Sequence, residues 1–387
     1  MSVTAAKGFA AAGVHAGIRR KGLDLAVVRS TAPSVGAAMF TVNQVLAAPV
    51  VVSKQNLEAA EPQAIVINSG VANAATGERG VLDALATAAE AARLLDVHAE
   101  EVLVLSTGVI GAPLPLEKVL GGLQRAVPTL SPAGGPDAAE AILTTDTKTK
   151  QAAVSLHGFT VGGMAKGSGM IHPQLATMLA VLTTDYPLEP EEAAAFLRPA
   201  VERSFNSISV DGECSTNDAV CLLANGASGI ERTPASDSVF ALALGRVCGQ
   251  LAEQIVADGE GATVVAEIGV RGAADGAQAR AVASRIATSP LVKTALFGHD
   301  ANWGRVLAAA GSAPFNGGFA AVDPARITLS YNGTVVLERG VPLGVEPDVS
   351  NGSCRIELDL GLGQGAASYL TSDLSYDYVR INAAYRT

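Results

Sequence analysis

Between Gly163 and Met178 the chain reads GMAKGSGMIHPQLATM, and LAVLTTD follows from Leu179 to Asp185. Three glycines with Lys166 among them form a loop that leads to a small-residue junction, Ala176-Thr177, and then to a short apolar run. That arrangement suits a chain that cuts itself. A threonine hydroxyl is a poor nucleophile without a neighbouring base, and a threonine that begins a chain carries that base as its own α-amine. Such an amine titrates at about pH 8, so it can take a proton at neutral pH with no histidine involved. Read by itself, Thr177 is also simply a β-branched residue entering a strand, which is the commoner reason to find one there.

Other positions could serve the same chemistry. Acyl transfer passes through a tetrahedral oxyanion, which needs preorganised donors, and the Gly-containing turn at Thr107-Gly108 offers a hydroxyl and a backbone N–H. The alternative is that Gly108 merely permits a tight turn after a buried strand. Lys166 could donate a charge-assisted hydrogen bond to a carboxylate, or be an exposed loop lysine. Glu260, within DGEGA, could meet an amine, or sit solvated at a helix C-terminus between Gly259 and Gly261.

Eight ordered blocks run through nearly the whole length: NSGVANAATG from Asn68, STGVIG from Ser106, ILTTDT from Ile142, GMAKGSGMIHPQLATML from Gly163, FNSISVDGECSTND from Phe205, DGEGAT from Asp258, SPLVKTALFGHDANWGR from Ser289 and YVRINAAYRT from Tyr378. With these blocks the sequence resembles the ornithine acetyltransferase family, the glutamate N-acetyltransferases of arginine biosynthesis. The resemblance implies an α/β (α+β) fold, a layered αββα sandwich of the self-processing aminopeptidase/ornithine acetyltransferase type with a smaller C-terminal region from about residue 290 to 387. It implies self-cleavage between Ala176 and Thr177 into fragments 1–176 and 177–387, with Thr177 then carrying acetyl from N-acetylornithine to glutamate. Thr107 and Gly108 take the oxyanion role. Thr144, Lys166, Thr177, Glu260, Asn382 and the terminal Thr387 are carried over as substrate contacts. The resemblance also suggests a heterotetramer of two copies of each fragment. Two rivals stay open: a bifunctional form that also acetylates glutamate from acetyl-CoA, and a related self-processing aminopeptidase or amidohydrolase, in which water replaces glutamate. Val71, Cys214 and Ala384 depart from the family's more frequent Asn, Thr and Asp.

The elements that would hold these residues alternate along the chain. Short β-branched runs predict strands at 23–29, 38–42, 49–52, 64–68 and 101–105, with helices over 81–95 and 136–143. After the junction, a strand is expected at 178–184, helices at 189–203 and 239–257, a strand at 264–270, and helices at 278–287 and 291–296. Strands at 327–330 and 334–337 flank Asn332-Gly333, a strong hairpin signal, and strands at 356–360 and 378–381 complete the set.

Composition narrows the partners. The 387 residues are 49% hydrophobic and 17% charged, as in a compact globular protein. A net charge of −10 with no basic cluster longer than Arg19-Arg20-Lys21 argues against nucleic acid and leaves any substrate carboxylate to local groups. No P-loop or basic groove is visible for the phosphates of acetyl-CoA, so acetyl-CoA is expected to be a weak donor or none. Cys214, Cys221, Cys248 and Cys354 follow no CxxC pattern and the five histidines no ligand spacing, so free thiols and no metal are expected. No signal peptide is apparent, and no apolar run approaches a membrane span, so a cytoplasmic protein is expected. Trp303, the single tryptophan, is expected to pack.

Overall fold

The structure, a computed structural model, describes residues 2–172 and 178–384. Its first sheet has the strand order Phe9–Val14, Leu25–Ser30, Ala64–Val71, Val102–Val109, with antiparallel pairing except between the last two, which are parallel. The helix Gly77–Leu95 makes the crossover that a parallel pair requires. A second sheet runs Val35–Phe40, Ala219–Ala224, Leu179–Thr184, Phe159–Lys166, Lys150–Leu156.

Four layers follow from the period of two in these strands. On one side of the first sheet, Val28, Ile65, Ile67, Leu103 and Leu105 pack against Leu179, Val181, Cys221 and Leu223 of the second sheet. The alternate residues Leu25, Val27, Val66 and Val104 face helices Gly77–Leu95 and Leu116–Ala126. Across the second sheet, Val161, Leu182, Val220 and Leu222 pack against Leu197 of helix Glu192–Glu202 and Phe240, Leu244, Val247 and Leu251 of helix Pro234–Ala257. The central strands Leu179–Thr184 and Ala219–Ala224 are buried on both faces, which is why they read as near-continuous apolar runs. The architecture is the expected αββα sandwich.

Two segments expected as strands are helical. Residues 49–52 open helix Ala48–Ala59, with Pro49 in its first turn. Pro is favoured there because its missing N–H would be unpaired anyway. Helix side chains then cover the edge of strand Val102–Val109: Ser53 Oγ donates to Val104 O at 2.7 Å, and Asn56 Nδ2 donates to Val102 O at 2.8 Å. The edge is closed to another chain without a further strand. Residues 378–381 lie in helix Tyr376–Ala384, whose Tyr378 N–H donates to Ser375 Oγ at 3.3 Å.

Helix Pro234–Ala257 is long and apolar enough to cross a membrane, a length the apolar runs of the sequence did not suggest. Its buried residues, at spacings of three and four from Phe240 to Val256, form the outer core of the second sheet. Thr233 caps its start by accepting from Ser236 N–H.

A seven-stranded sheet organises the C-terminal residues and includes Val265–Ala273, so it reaches back beyond residue 290. Helices Gly276–Ala287 and Trp303–Gly311 pack on it through Ala279, Val282, Ile286 and Val306. The Asn332-Gly333 turn joins Thr328–Tyr331 to Thr334–Glu338 with both residues at positive φ, as the hairpin signal requires. The sheet's last strand, Ile208–Ser209, pairs with Leu370 and Thr371 and feeds the 210–218 loop. Sandwich and C-terminal sheet therefore meet at the segment that leads into the site.

Candidate active site

Asn68 and Ser106 set the floor of the site. Ser106 Oγ donates to Asn68 Oδ1 at 2.5 Å, and Asn68 Nδ2 donates to Val71 O at 2.9 Å, within a bulge in which Val71 pairs with both Thr107 and Val109. Such bulges re-aim the residues beside them. Thr107 and Gly108 thus lie inside strand Val102–Val109, not in a turn after it. Gly108 has φ +131°, and a Cβ there would lie 2.3 Å from the Gly70 carbonyl carbon, so only glycine fits. From the other side Asn217 Nδ2 donates to Ala72 O at 2.6 Å and to Ser106 O at 2.8 Å, tying the two motifs together.

Lys166 ends strand Phe159–Lys166 and is only 2% exposed, so the loop expected around it is strand up to that residue. Its Nζ donates to Thr107 Oγ1 at 3.4 Å. Burial pushes the ammonium below the usual lysine range, Asp146 pulls it back up, and Lys150 lowers it further. Asp146 is the counter-charge. Burial would raise its carboxyl, but Lys166 and Lys150, with hydrogen bonds from Lys150 Nζ at 2.7 Å and Gly167 N–H at 2.6 Å, hold it down at about 2. Lys150 also bridges to Asp258 at 2.6 Å, which locks the Ile142–Lys150 segment to the Asp258–Thr263 segment. Thr144 N–H is held by Asp146 Oδ2 at 3.0 Å, and Thr145 Oγ1 is hydrogen-bonded to Ser168 Oγ at 2.7 Å.

Glu260 follows helix Pro234–Ala257, and its N–H donates to Ser168 O at 2.8 Å. Its carboxylate accepts from Asn382 Nδ2 at 2.8 Å and abuts Gly169, where a Cβ would come within 2.5 Å of it. Asp211 accepts from Met170 N–H at 2.6 Å and Ile171 N–H at 2.9 Å, and burial pushes its carboxyl above the usual range. Thr107, Gly108, Thr144, Lys166, Glu260 and Asn382 all line one cavity of about 190 Å³, together with Asp211, Cys214, Asn217 and Tyr378. The cavity has a cationic wall at Lys166 and an acidic one at Glu260 and Asp211, which suits a zwitterion with a second charged end. Ala176, Thr177 and Thr387 lie outside the described residues.

Several neighbours of the site went unread in the sequence. Asp146 and Asn217 sit in quoted blocks, yet nothing local marks a buried ion pair or a bridging amide. Asp218 Oδ1 accepts from Met178 N–H at 3.0 Å, next to the junction. Cys214 Sγ lies 3.7 Å from Thr41 Oγ1, at the cavity wall. Among the described residues no group of three His, Cys, Asp or Glu side chains is placed to hold a metal. Trp303 is partly buried against the C-terminal core, away from the site.

Comparisons with known proteins place the chain. The arginine biosynthesis bifunctional protein ArgJ of Mycolicibacterium paratuberculosis is 49% identical, over 99% of this chain and 96% of that protein. That of Symbiobacterium thermophilum is 46% identical, over 100% and 98%. Among solved structures, the ornithine acetyltransferase of Mycobacterium tuberculosis complexed with ornithine is 46% identical, covering 44% of this chain and 94% of that one, with a TM-score of 0.43. The ArgJ family model itself matches residues 10–387, and so this chain belongs to the ArgJ family.

Proposed function

We propose that this enzyme is a glutamate N-acetyltransferase that takes acetyl from N-acetylornithine through an ester on Thr177, after cutting itself between Ala176 and Thr177. The observation that supports it most is the single cavity in which Lys166 faces Glu260 and Asp211 beside Thr107 and Gly108. In the precursor, the Thr177 hydroxyl attacks the Ala176 carbonyl and its proton passes to the Thr177 nitrogen, the peptide C–N bond breaks to free the α-amine, and water hydrolyses the resulting ester to release the Ala176 carboxylate and the Thr177 hydroxyl.

In the first half-reaction the hydroxyl oxygen bonds to the acetyl carbon of N-acetylornithine and its proton passes to the α-amine. The Gly108 N–H and Thr107 hydroxyl stabilise the oxyanion, worth about 3 kcal/mol per donor. The acetyl C–N bond then breaks and ornithine leaves with the proton. Glutamate's amine attacks the ester in the second half, and Thr177 recovers its proton. Lys166 meets the α-carboxylate common to both substrates. Glu260 meets ornithine's side-chain amine, and the Asn382 carboxamide, which carries both donor and acceptor, can serve either side chain.

The relatives' name, bifunctional protein, favours a second reading in which acetyl-CoA is also a donor. The cytoplasmic location and the assembly of two copies of each fragment are carried as part of the same proposal. One experiment tests the whole. Incubation with N-acetylornithine alone should add one acetyl mass to a fragment beginning at Thr177, and Thr177→Ala should stay uncut and inactive. Acetyl-CoA is run in parallel as donor. A full-length chain that is active, or an active enzyme that never carries acetyl, would overturn the reading.

A further inference from the structure

Ornithine and glutamate carry their side-chain polar atoms at the same reach, since the same number of bonds separates Cα from the side-chain nitrogen of the one and from the side-chain oxygens of the other. With Lys166 on the α-carboxylate common to both, an ammonium that must donate and a carboxylate that must accept arrive at one place. That place is the acidic end of the cavity, where Glu260 and Asp211 only accept. Asn382 Nδ2 donates to Glu260 Oε2 at 2.8 Å and to Tyr378 O at 3.1 Å, so in this arrangement it is the amide oxygen that a ligand meets. Tyr378 lines the same cavity, and its hydroxyl can both donate and accept. Ser375 Oγ accepts from Tyr378 N–H at 3.3 Å and donates to Gly261 O at 2.6 Å, which seats the start of helix Tyr376–Ala384 on the loop that carries Glu260. A Cβ on Gly261 would come within 2.5 Å of Tyr378 N. The Tyr378 hydroxyl donates to Asp211 Oδ2 at 3.4 Å, long for an O–H···O bond. Asp211 does not depend on it, because the N–H groups of Met170, Ile171 and Glu213 also donate to that carboxylate.

We propose that Tyr378 determines specificity for the second substrate: its hydroxyl turns from Asp211 to donate to the side-chain carboxylate of glutamate, and in the first half-reaction its oxygen accepts from ornithine's side-chain ammonium. The inference rests on the acetyl-transfer reading given above and deepens it, because Glu260 answers only one of the two side chains. Glu260 and Asp211 repel the incoming carboxylate, so a donor among them is what lets glutamate enter. Burial, then the charges of Asp211 and Glu260, push the Tyr378 hydroxyl above the usual tyrosine range, so it keeps its hydrogen throughout. No proton is transferred in the turn, which exchanges one hydrogen-bond acceptor for another.

The test is Tyr378→Phe, which keeps the ring and removes the hydroxyl. In a double displacement, kcat/KM for each substrate reports its own half-reaction, so the two demands on the pocket can be read apart. For glutamate, kcat/KM should fall about ten- to hundredfold, the range for a hydrogen bond to a charged group. For N-acetylornithine it should fall by no more than about threefold, because Glu260, Asp211 and Asn382 Oδ1 still accept from the ammonium. Norvaline, which has the glutamate carbon chain without its side-chain oxygens, is run as a second acetyl acceptor on the same preparation. Its kcat/KM should not change, so the preference for glutamate over norvaline should drop by the whole of the glutamate loss, in a ratio that does not depend on how much of the variant folds. An unchanged preference would overturn the proposal, and so would equal losses for glutamate and norvaline or for glutamate and N-acetylornithine, which mark a structural role. Failure of the reading beneath it is distinguishable, because a wild-type protein that moves no acetyl from N-acetylornithine to glutamate fails before any variant is compared.

Discussion

Lys166→Met removes the one cation that the site is proposed to aim at a substrate carboxylate. The side chain is 2% exposed, and methionine has a similar shape, so the change empties little space. Asp146 keeps its other partners, Lys150 Nζ at 2.7 Å and Gly167 N–H at 2.6 Å, and stays ionised, so no orphaned charge is created in the core. What is lost is a buried charge-assisted hydrogen bond, about 1.5 to 3 kcal/mol. At about 1.4 kcal/mol per factor of ten this is a ten- to hundredfold rise in KM. Because N-acetylornithine and glutamate share the α-carboxylate, both KM values should rise together while kcat changes less. Burial lowers the lysine's pKa, and the binding it supplies is present below that pKa and lost as pH rises through it. Wild-type KM values should accordingly climb with alkaline pH sooner than an ordinary lysine, at about 10.4, would allow, and the variant should lack that limb. Initial-rate kinetics from pH 6 to 10, with thermal unfolding as the control for folding, decide it. A rise confined to one substrate, or none, would refute the shared-carboxylate argument.

Gly108→Ala should lower kcat about a hundred- to a thousandfold with a smaller effect on KM, because the added Cβ meets the Gly70 carbonyl carbon at 2.3 Å and must displace the N–H proposed as an oxyanion donor; an unchanged kcat removes Gly108 from that role. Asp146, held at about 2 against an ordinary 3.8, should contribute roughly 2 kcal/mol of stability that is complete above about pH 4 and lost as pH falls through about 2. Thermal unfolding between pH 7 and 2 should show that loss in the wild type and a flatter profile in Asp146→Asn, and parallel profiles would contradict it.

The sequence shows the layered fold wherever a short continuous apolar run is plain, as at the starts of Ala64–Val71 and Val102–Val109, where both faces are buried. It misleads at residues 49–52, where β-branched valines suggest a strand and only Pro49 in a first helical turn says otherwise. Residues 378–381 mislead for a similar reason, since their helix has no buried face to impose a period. The described residues carried over from family motifs meet in one cavity, because the loops, strand ends and C-terminal helix that carry them come together there. The supporting shell is different. Lys150 with Asp258, Asn217 with Ala72 and Ser106, and Asp218 with Met178 pair residues distant in sequence, and their partners are chosen by the tertiary fold rather than by spacing.

The second sheet interleaves chain from both sides of position 176. Phe159–Lys166 pairs antiparallel with Leu179–Thr184 from Val161↔Thr184 to Lys166↔Leu179, and Val35–Phe40 pairs with Ala219–Ala224. A break between 176 and 177 would therefore leave two pieces that cannot part without unzipping the middle of the molecule, and in the native state nothing would register the loss of one covalent bond. Unfolding would register it. An uncut chain refolds by itself, with its strands at the millimolar effective concentration that a short tether provides, whereas the cut pieces must first find each other at the dilution of the surroundings. Cutting, if it follows as proposed, would thus act as a ratchet on the fold's history: the sheet would have to be assembled before the bond is spent, and a cut molecule that lost its structure would have no unimolecular way back.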